Sequence, residues 1–225
     1  MQMKTMTFDA KAEIPEEDHP LPTMICKPTN PERVKRFRAS DETIDRDGEV
    51  VLLSAWDMTE FVKNPVIMQF HDYRSWPIGK GTACGCMPDC MCVDCEFDPP
   101  EVDESADLVF RKIQHGTVRT GSVGFEPIEY VTPSRESKAA ELFERFPSAR
   151  RIFTRVKLIE FTICPIPANP NAVAMMLGKL YEDRYGAKNV DAAPEKTWEQ
   201  YARDKRDERD ADILRRLEAL AEKKA

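Results

Sequence analysis

The sequence predicts an α+β fold, in which a sheet of short strands is accompanied by a few helices. Stretches rich in β-branched and apolar residues, separated by Gly, Pro and Asp turn signals, fill the middle of the chain and predict the strands. Segments with apolar residues at helical spacing lie between and after them. Because 41% of the 225 residues are hydrophobic, the chain can bury a real core, and its length suits one domain with extensions.

Six strand regions are predicted, and three of them contain or end at a residue able to do acid, base or nucleophile chemistry. The regions are 34–39, 49–53, 66–70, 77–97 (a hairpin turning at 87–89), 118–131 and 152–166. The third ends at His71, the fifth contains Ser122 and is broken by Pro127, and the sixth contains Glu160. Residues 45–48, Asp-Arg-Asp-Gly, predict the turn between the first two strands. The segment also resembles a calcium loop, but the downstream Glu of that motif is absent.

The predicted helices are short and carry recognisable end signals. The first covers 55–63, with Trp56 and Phe61 on the apolar side, and Pro65 stops it; the second covers 105–114 and is capped by Ser105 and Gly116. The third covers 133–146, with Ala140, Leu142, Phe143 and Phe146 buried. A fourth follows Asn171, with Ala174, Leu177 and Tyr181 on one side, and a last helix opens at 197–200. His115 falls at the end of the second of these helices, where a capping role is expected.

Three regions are predicted along the chain. Residues 1–31 form an irregular, proline-rich N-terminal arm, residues 32–182 the folded domain, and residues 183–225 a linker followed by a charged C-terminal helix. The last helix carries only a thin apolar stripe, made by Ile213, Leu217 and Leu220. So narrow a stripe indicates packing on a partner or on a second copy, and we therefore expect a homo-oligomer.

Charge and hydropathy exclude several classes of function. The net charge of −7 and the pI of about 5.2 argue against nucleic acid as a partner, because phosphate binding needs clustered Lys and Arg. No apolar run approaches the roughly 20 residues that span a bilayer, and residues 1–7 lack the apolar core of a signal peptide. We therefore expect a soluble, unsecreted protein without a membrane partner, with its seven cysteines mostly reduced.

His71, Ser122 and Glu160 each have a structural interpretation when taken alone. A histidine closing a buried strand is often a hydrogen-bonded structural residue, and a serine among glycines often marks a tight backbone passage. Peptide hydrolysis needs a nucleophile, a base and a group that orients the base. Gly121 and Gly124 beside Ser122 would let a substrate backbone approach and free amides for an oxyanion hole. Spacing alone does not show that the three residues meet.

A cluster of cysteines occupies the predicted hairpin between residues 84 and 95. Cys84 and Cys86 lie on one strand, and Cys90 and Cys92 on the other, so four thiolates near a turn could hold zinc. Their spacing is not the paired C-x-x-C of common structural sites, which favours reduced thiols. No metal or cofactor is therefore predicted, and a zinc site stays the alternative.

Three segments, in this order, resemble the tailed-phage prohead protease family, also called capsid maturation proteases. They are residues 64–73 (Asn-Pro-Val-Ile-Met-Gln-Phe-His-Asp-Tyr), 116–125 (ending in Ser-Val-Gly-Phe) and 159–172 (containing Pro-Ala-Asn-Pro). The turn at 45–48 and Trp56 belong to the same resemblance. It covers roughly residues 33–180, although the cysteine hairpin departs from the family pattern.

The resemblance implies that His71 and Ser122 are the catalytic pair and that Glu160 is the acidic residue. It also implies a compact, mainly antiparallel β-barrel with surrounding helices, similar in fold to the herpesvirus assembly protease. The third catalytic member of that protease is a histidine following the serine, whereas all three histidines here precede Ser122. A carboxylate must therefore serve; we expect Glu160, with Asp72 as the alternative.

The function implied is that of a serine endopeptidase packaged inside the assembling phage procapsid, in the host cell cytoplasm. Its expected substrates are the scaffolding protein, the N-terminal region of the major capsid protein and its own termini. Two rivals remain at this point. One is a non-catalytic assembly or scaffolding protein on the same fold, and the other is a zinc-dependent binding module built on the cysteine hairpin.

Overall fold

A computed structural model of the chain describes residues 23–133 and 140–175. Within these ranges the chain forms the strands β1 Thr23–Met24, β2 Val34–Ser40, β3 Glu49–Val51, β4 Trp56–Asp57, β5 Val66–Gln69, β6 Gly79–Cys86, β7 Met91–Phe97, β8 Gly121–Val131 and β9 Arg151–Ile163, and the helices α1 Thr59–Lys63, α2 Glu104–His115 and α3 Ala140–Arg145. Most of the predicted N-terminal arm and the whole C-terminal extension lie outside the described residues. The α+β class is confirmed.

β9 is the longest of these strands and organises the sheet. One path through the sheet runs β2-β7-β6-β5-β9-β3, and β8 and β4 also pair with β9. β9 is antiparallel to β8 and parallel to β3, β4 and β5, while the remaining pairs are antiparallel. Antiparallel pairing predominates as predicted, and the mixed character arises because successive short segments lie alongside one long strand.

The sheet curls like half of a barrel, and residues 172–175 join its two sides. Val173 accepts a backbone hydrogen bond from Arg38 of β2 at 3.0 Å, and the Ala174 N–H donates to Arg119, just before β8, at 2.6 Å. This segment is therefore extended chain, so the helix predicted to begin after Asn171 is wrong for its described part. The backbone N–H and C=O groups at two sheet edges stabilise the extended form of this segment more than its apolar residues at helical spacing would stabilise a helix. Leu177 and Tyr181 lie outside the described residues.

Aromatic side chains fill the interior of the curled sheet. Phe37 and Phe161 are fully buried, with ring centroids 5.3 Å apart. The Phe110 ring attaches α2 to the sheet, 5.7 Å from the ring of Phe97. Phe161 lies on β9, and its ring points into this interior. Because side chains alternate along a strand, the residues next to Phe161 on β9 point to the opposite face of the sheet.

Two helix predictions needed correction at their N-termini. The first helix is confined to Thr59–Lys63, because Trp56 instead pairs with Val156 of β9. The second helix begins after Asp103, whose carboxylate accepts the Ser105 N–H at 2.7 Å, so Ser105 is not the N-cap. The predicted C-cap is confirmed: Gly116 is left-handed with φ 83°.

The strand break predicted at Pro127 is absent from the structure. β8 continues to Val131, and the register with β9 shifts around this proline, which is how a sheet accommodates a residue without an N–H. The described part of the helix predicted at 133–146 is Ala140–Arg145. Leu142 and Phe143 pack on the core, whereas Ala140 is exposed. Within the described residues no helix has the length and apolar composition needed to cross a bilayer.

Candidate active site

The register between β8 and β9 places Ser122 and Glu160 on one face of the sheet. Ser122 lies opposite Thr162, and Gly124 lies opposite Glu160. Because side chains alternate along a strand, Ser122, Thr162 and Glu160 share the face opposite to the buried ring of Phe161. Glu160 lies diagonally across from Ser122, and diagonal neighbours on one sheet face are roughly 7–8 Å apart, so this face brings a hydroxyl and a carboxylate into one neighbourhood.

His71 reaches the same face from the end of β5. β5 runs parallel to β9, with Gln69 opposite Ile163, and the chain then turns through Phe70 and His71. These two residues have φ of 57° and 54°, a left-handed conformation that costs non-glycine residues about 1–3 kcal/mol each and concentrates at functional sites. The turn is held by a hydrogen bond from the His71 N–H to the Thr162 hydroxyl oxygen at 3.0 Å.

The imidazole of His71 contacts the carboxylate of Glu160. The distance between His71 Nδ1 and Glu160 Oε1 is 2.5 Å. The carboxylate can only accept, so Nδ1 carries the proton and donates it, which leaves Nε2 as the basic nitrogen. The Glu160 side chain is 1% exposed and that of His71 is 39% exposed, so the charge is buried while the base remains accessible.

Two glycines of β8 provide the space that this arrangement needs. A Cβ added at Gly124 would lie 2.2 Å from Glu160 Oε1, the oxygen that contacts His71. A Cβ added at Gly121 would lie 2.2 Å from the Phe161 ring, on the opposite face. The sequence predicted these glycines as an approach for substrate; the structure gives a further reason for each, since any side chain would displace the carboxylate or the core ring.

Ser122 is 7% exposed and borders a cavity of about 40 Å³. Asp41, Phe125 and Asn169 also line this cavity, which has room for about three water molecules. The cavity lies where β8, the end of β2 and the segment after β9 come together.

Asp41 clamps the Pro-Ala-Asn-Pro segment next to this cavity. Its carboxylate accepts hydrogen bonds from the side-chain amides of Asn169 at 2.9 Å and Asn171 at 2.8 Å, and from the Thr43 N–H at 3.0 Å. Burial raises the pKa of Asp41, but these hydrogen bonds outweigh it and leave the pKa below its usual value. Asp41 was not singled out from the sequence, because its two asparagine partners lie more than a hundred residues away.

Arg46 gives the Asp-Arg-Asp-Gly turn a second connection to the same segment. Its guanidinium donates to the Pro167 carbonyl at 2.5 Å. The turn itself is as predicted, with Gly48 at φ 76°. The two motifs of the sequence, at 45–48 and 167–171, therefore form one structural clasp beside Ser122.

The other titratable candidates lie apart from the His71–Glu160 pair. The Asp72 carboxylate accepts hydrogen bonds from the Arg74 backbone and side chain and is not the group on Nδ1 of His71. His115 is the last residue of α2 and its Nδ1 lies 2.8 Å from the Thr117 hydroxyl oxygen, which agrees with its predicted helix-end position.

The hairpin thiols do not converge on one point. Cys84 and Cys86 face the main core, whereas Cys90 and Cys92 pack in a separate small cluster on the other side of the hairpin. Burial raises the pKa of Cys84 to about 12, so this thiol stays protonated at neutral pH. Among the described residues no group of three or more His, Cys, Asp and Glu side chains could hold a metal ion, and the four-cysteine zinc alternative is wrong.

Comparison with known proteins identifies a family and a relative that the chain resembles. Residues 34–184 match the family model described as caudovirus prohead serine protease. The prohead protease of Escherichia phage T5 is 29% identical over 148 residues, which cover 63% of this chain and 62% of that protein. The match thus spans less than two thirds of the relative's length. No solved structure matches the chain significantly.

Proposed function

The chain belongs to the caudovirus prohead serine protease family, and from this premise we propose that it is a serine endopeptidase of the phage prohead. Ser122 is the nucleophile, His71 the general base, and Glu160 the group that orients the base. The observation that carries the proposal is the 2.5 Å contact between His71 Nδ1 and Glu160 Oε1, on the sheet face that also holds Ser122. This contact joins two residues that are 89 positions apart.

The chemistry follows from the proton positions. With Nδ1–H bound to Glu160, Nε2 of His71 accepts the proton of the Ser122 hydroxyl as its oxygen attacks the scissile carbonyl. The buried negative charge of Glu160 stabilises the imidazolium that forms, since a charge excluded from water interacts more strongly with its partner. Nε2–H then gives its proton to the leaving amine, and water attacks the acyl-enzyme by the same route in reverse.

The proposed substrates are those of a capsid maturation protease. They are the scaffolding protein, the N-terminal region of the major capsid protein and the termini of the protease itself, met inside the procapsid in the host cytoplasm. The homo-oligomer expected from the apolar stripe of the predicted C-terminal helix remains part of the proposal. The non-catalytic assembly protein is the less favoured alternative, because it gives no reason for a histidine held in a left-handed turn against a buried carboxylate.

The test is co-expression of the full chain with its capsid and scaffolding proteins, followed by intact mass measurement. Wild type should shorten the substrates or itself, whereas Ser122→Ala should leave every chain at full length. Ser105→Ala, at the start of α2, is the matched control and should process like wild type. Equal processing by wild type and Ser122→Ala would show that another residue is the nucleophile, and intact chains throughout would favour the assembly role.

A further inference from the structure

Thr162 places a hydroxyl in the buried part of the candidate active site. It is fully buried and lies on β9 between two large apolar residues, Phe161 and Ile163. Burying a hydroxyl is unfavourable unless the group is hydrogen-bonded, and valine has nearly the same branched shape without a polar group. The hydroxyl at this position therefore requires an explanation other than packing.

The Thr162 hydroxyl binds the backbone of the proposed base. β5 follows β9 as far as Gln69, and the Phe70 N–H still donates to the Ile163 carbonyl at 3.1 Å. At His71 the chain has left the strand, and its N–H donates at 3.0 Å to Oγ1 of Thr162. Phe70 and His71 are both left-handed, so this hydrogen bond stabilises a turn that is otherwise unfavourable for non-glycine residues.

The same threonine shares a sheet face with the other two proposed catalytic residues. It lies opposite Ser122 in the register of β8 and β9, and it follows Glu160 by two residues on β9. Its hydroxyl therefore attaches the backbone of His71 to the strand that carries Glu160, whose Oε1 lies 2.5 Å from His71 Nδ1. We propose that Thr162 is a positioning residue, whose hydroxyl holds the imidazole of His71 against the Glu160 carboxylate. This inference rests on the proposed function and adds a residue that acts through His71.

Loss of the Thr162 hydroxyl should have two separate consequences. Without its hydrogen bond the left-handed turn can relax, which moves the His71 imidazole away from the carboxylate that orients it. The reaction of Ser122 should then slow roughly tenfold, which corresponds to one lost hydrogen bond. The proton on Nδ1 of His71 should also enter a longer hydrogen bond, which changes its NMR resonance. A threonine needed only for packing would affect neither quantity while the protein stays folded.

The first experiment measures how fast a fluorophosphonate probe labels Ser122 in the folded full chain. Thr162→Val removes the hydroxyl and should slow labelling roughly tenfold, whereas Thr162→Ser keeps the hydroxyl without the methyl group and should recover most of the lost rate. Thr82→Val is the matched control, because Thr82 is also buried and its hydroxyl donates to the Asp94 carbonyl at 3.4 Å in the hairpin; it should label as wild type. Wild-type labelling by Thr162→Val, or an equal loss in the valine and serine variants, would overturn the inference.

A proton NMR spectrum tests the position of His71 without relying on Ser122. The Nδ1 proton in the 2.5 Å contact should resonate downfield of the backbone amides and be identified by its loss in Glu160→Gln. Thr162→Val should shift or abolish this resonance, and Thr82→Val should keep it; an unchanged resonance in Thr162→Val overturns the inference. Should Thr162→Val fail to fold, loss of the resonance in Thr162→Ser would overturn it instead. Labelling of Ser122→Ala at the wild-type rate would overturn the proposed nucleophile, and the resonance would still decide the role of Thr162.

Discussion

The candidate catalytic face of β8 and β9 and the cysteine hairpin of β6 and β7 were both conspicuous in the sequence. They differ in how their residues are brought together. His71 and Glu160 are 89 positions apart and meet at 2.5 Å. Cys86 and Cys92 are only six positions apart, yet they face opposite sides of one hairpin. Residues close together in one hairpin can face opposite sides, because side chains alternate along each strand. Residues far apart in the sequence can meet when the register between their strands places them on the same face.

The two regions also differ in how they treat their ionisable groups. Burial raises the pKa of the Cys84 thiol, and its neighbour Cys86 shifts in the same direction, so both behave as small apolar core residues. Glu160 is equally buried but faces an imidazole donor. A buried group that keeps a donor can take part in proton chemistry, and a buried group without one is expected to stay inert.

The largest effect should come from removing the charge that orients His71. In Glu160→Gln the side-chain amide can donate to Nδ1 and favour the wrong tautomer, so the fluorophosphonate labelling rate should fall by roughly 10³–10⁴-fold. Glu129→Gln, on β8 and 3.7 Å from Arg155, is the matched control and should label normally. Near-wild-type labelling of Glu160→Gln would mean that the contact between His71 and Glu160 is structural and does not serve the reaction.

An intermediate effect is expected from Gly124→Ala. Its Cβ would lie 2.2 Å from Glu160 Oε1, so the carboxylate must move away from His71. We expect labelling to fall at least tenfold and the free energy of unfolding, measured in urea, to fall by about 1–3 kcal/mol.

The control for that variant separates a steric effect from backbone strain. Gly116 has φ 83° but no atom within 4 Å of its added Cβ, so Gly116→Ala should lower the free energy of unfolding by about 1 kcal/mol without changing the labelling rate. If both alanine variants lose labelling in proportion to stability, the close approach at Gly124 is not specific to the site.

The smallest effects are expected in the hairpin. Cys86→Ala should lower the free energy of unfolding by about 1 kcal/mol, because it removes a buried sulfur 3.4 Å from the Leu53 carbonyl, and labelling should stay unchanged. A zinc chelator should leave the thermal midpoint of the full chain where it was. A lower midpoint on chelation would show that the hairpin binds metal after all, and the contrast between the two regions would fail.

Local patterns predicted the elements whose residues are close in sequence. The 45–48 turn, the hairpin at 77–97 and the glycine cap at Gly116 are all as expected, because their signals are set by neighbouring residues. Predictions failed where a distant strand competed. Trp56 pairs with β9 instead of starting a helix, and Ala174 bonds to Arg119 instead of continuing one. Neither partner could be identified from local spacing.

The sequence alone determined which residues were available for chemistry. Ser122, His71 and Glu160 were identified by residue type, by their positions on predicted strands and by a family resemblance. Only the tertiary structure decided which side chains meet. The pairing of Gly124 with Glu160, the left-handed turn at His71 and the clasp of Asp41 all depend on strand register across more than thirty residues. Register is set by the whole core at once, because shifting one strand by a residue would reverse every face that it presents.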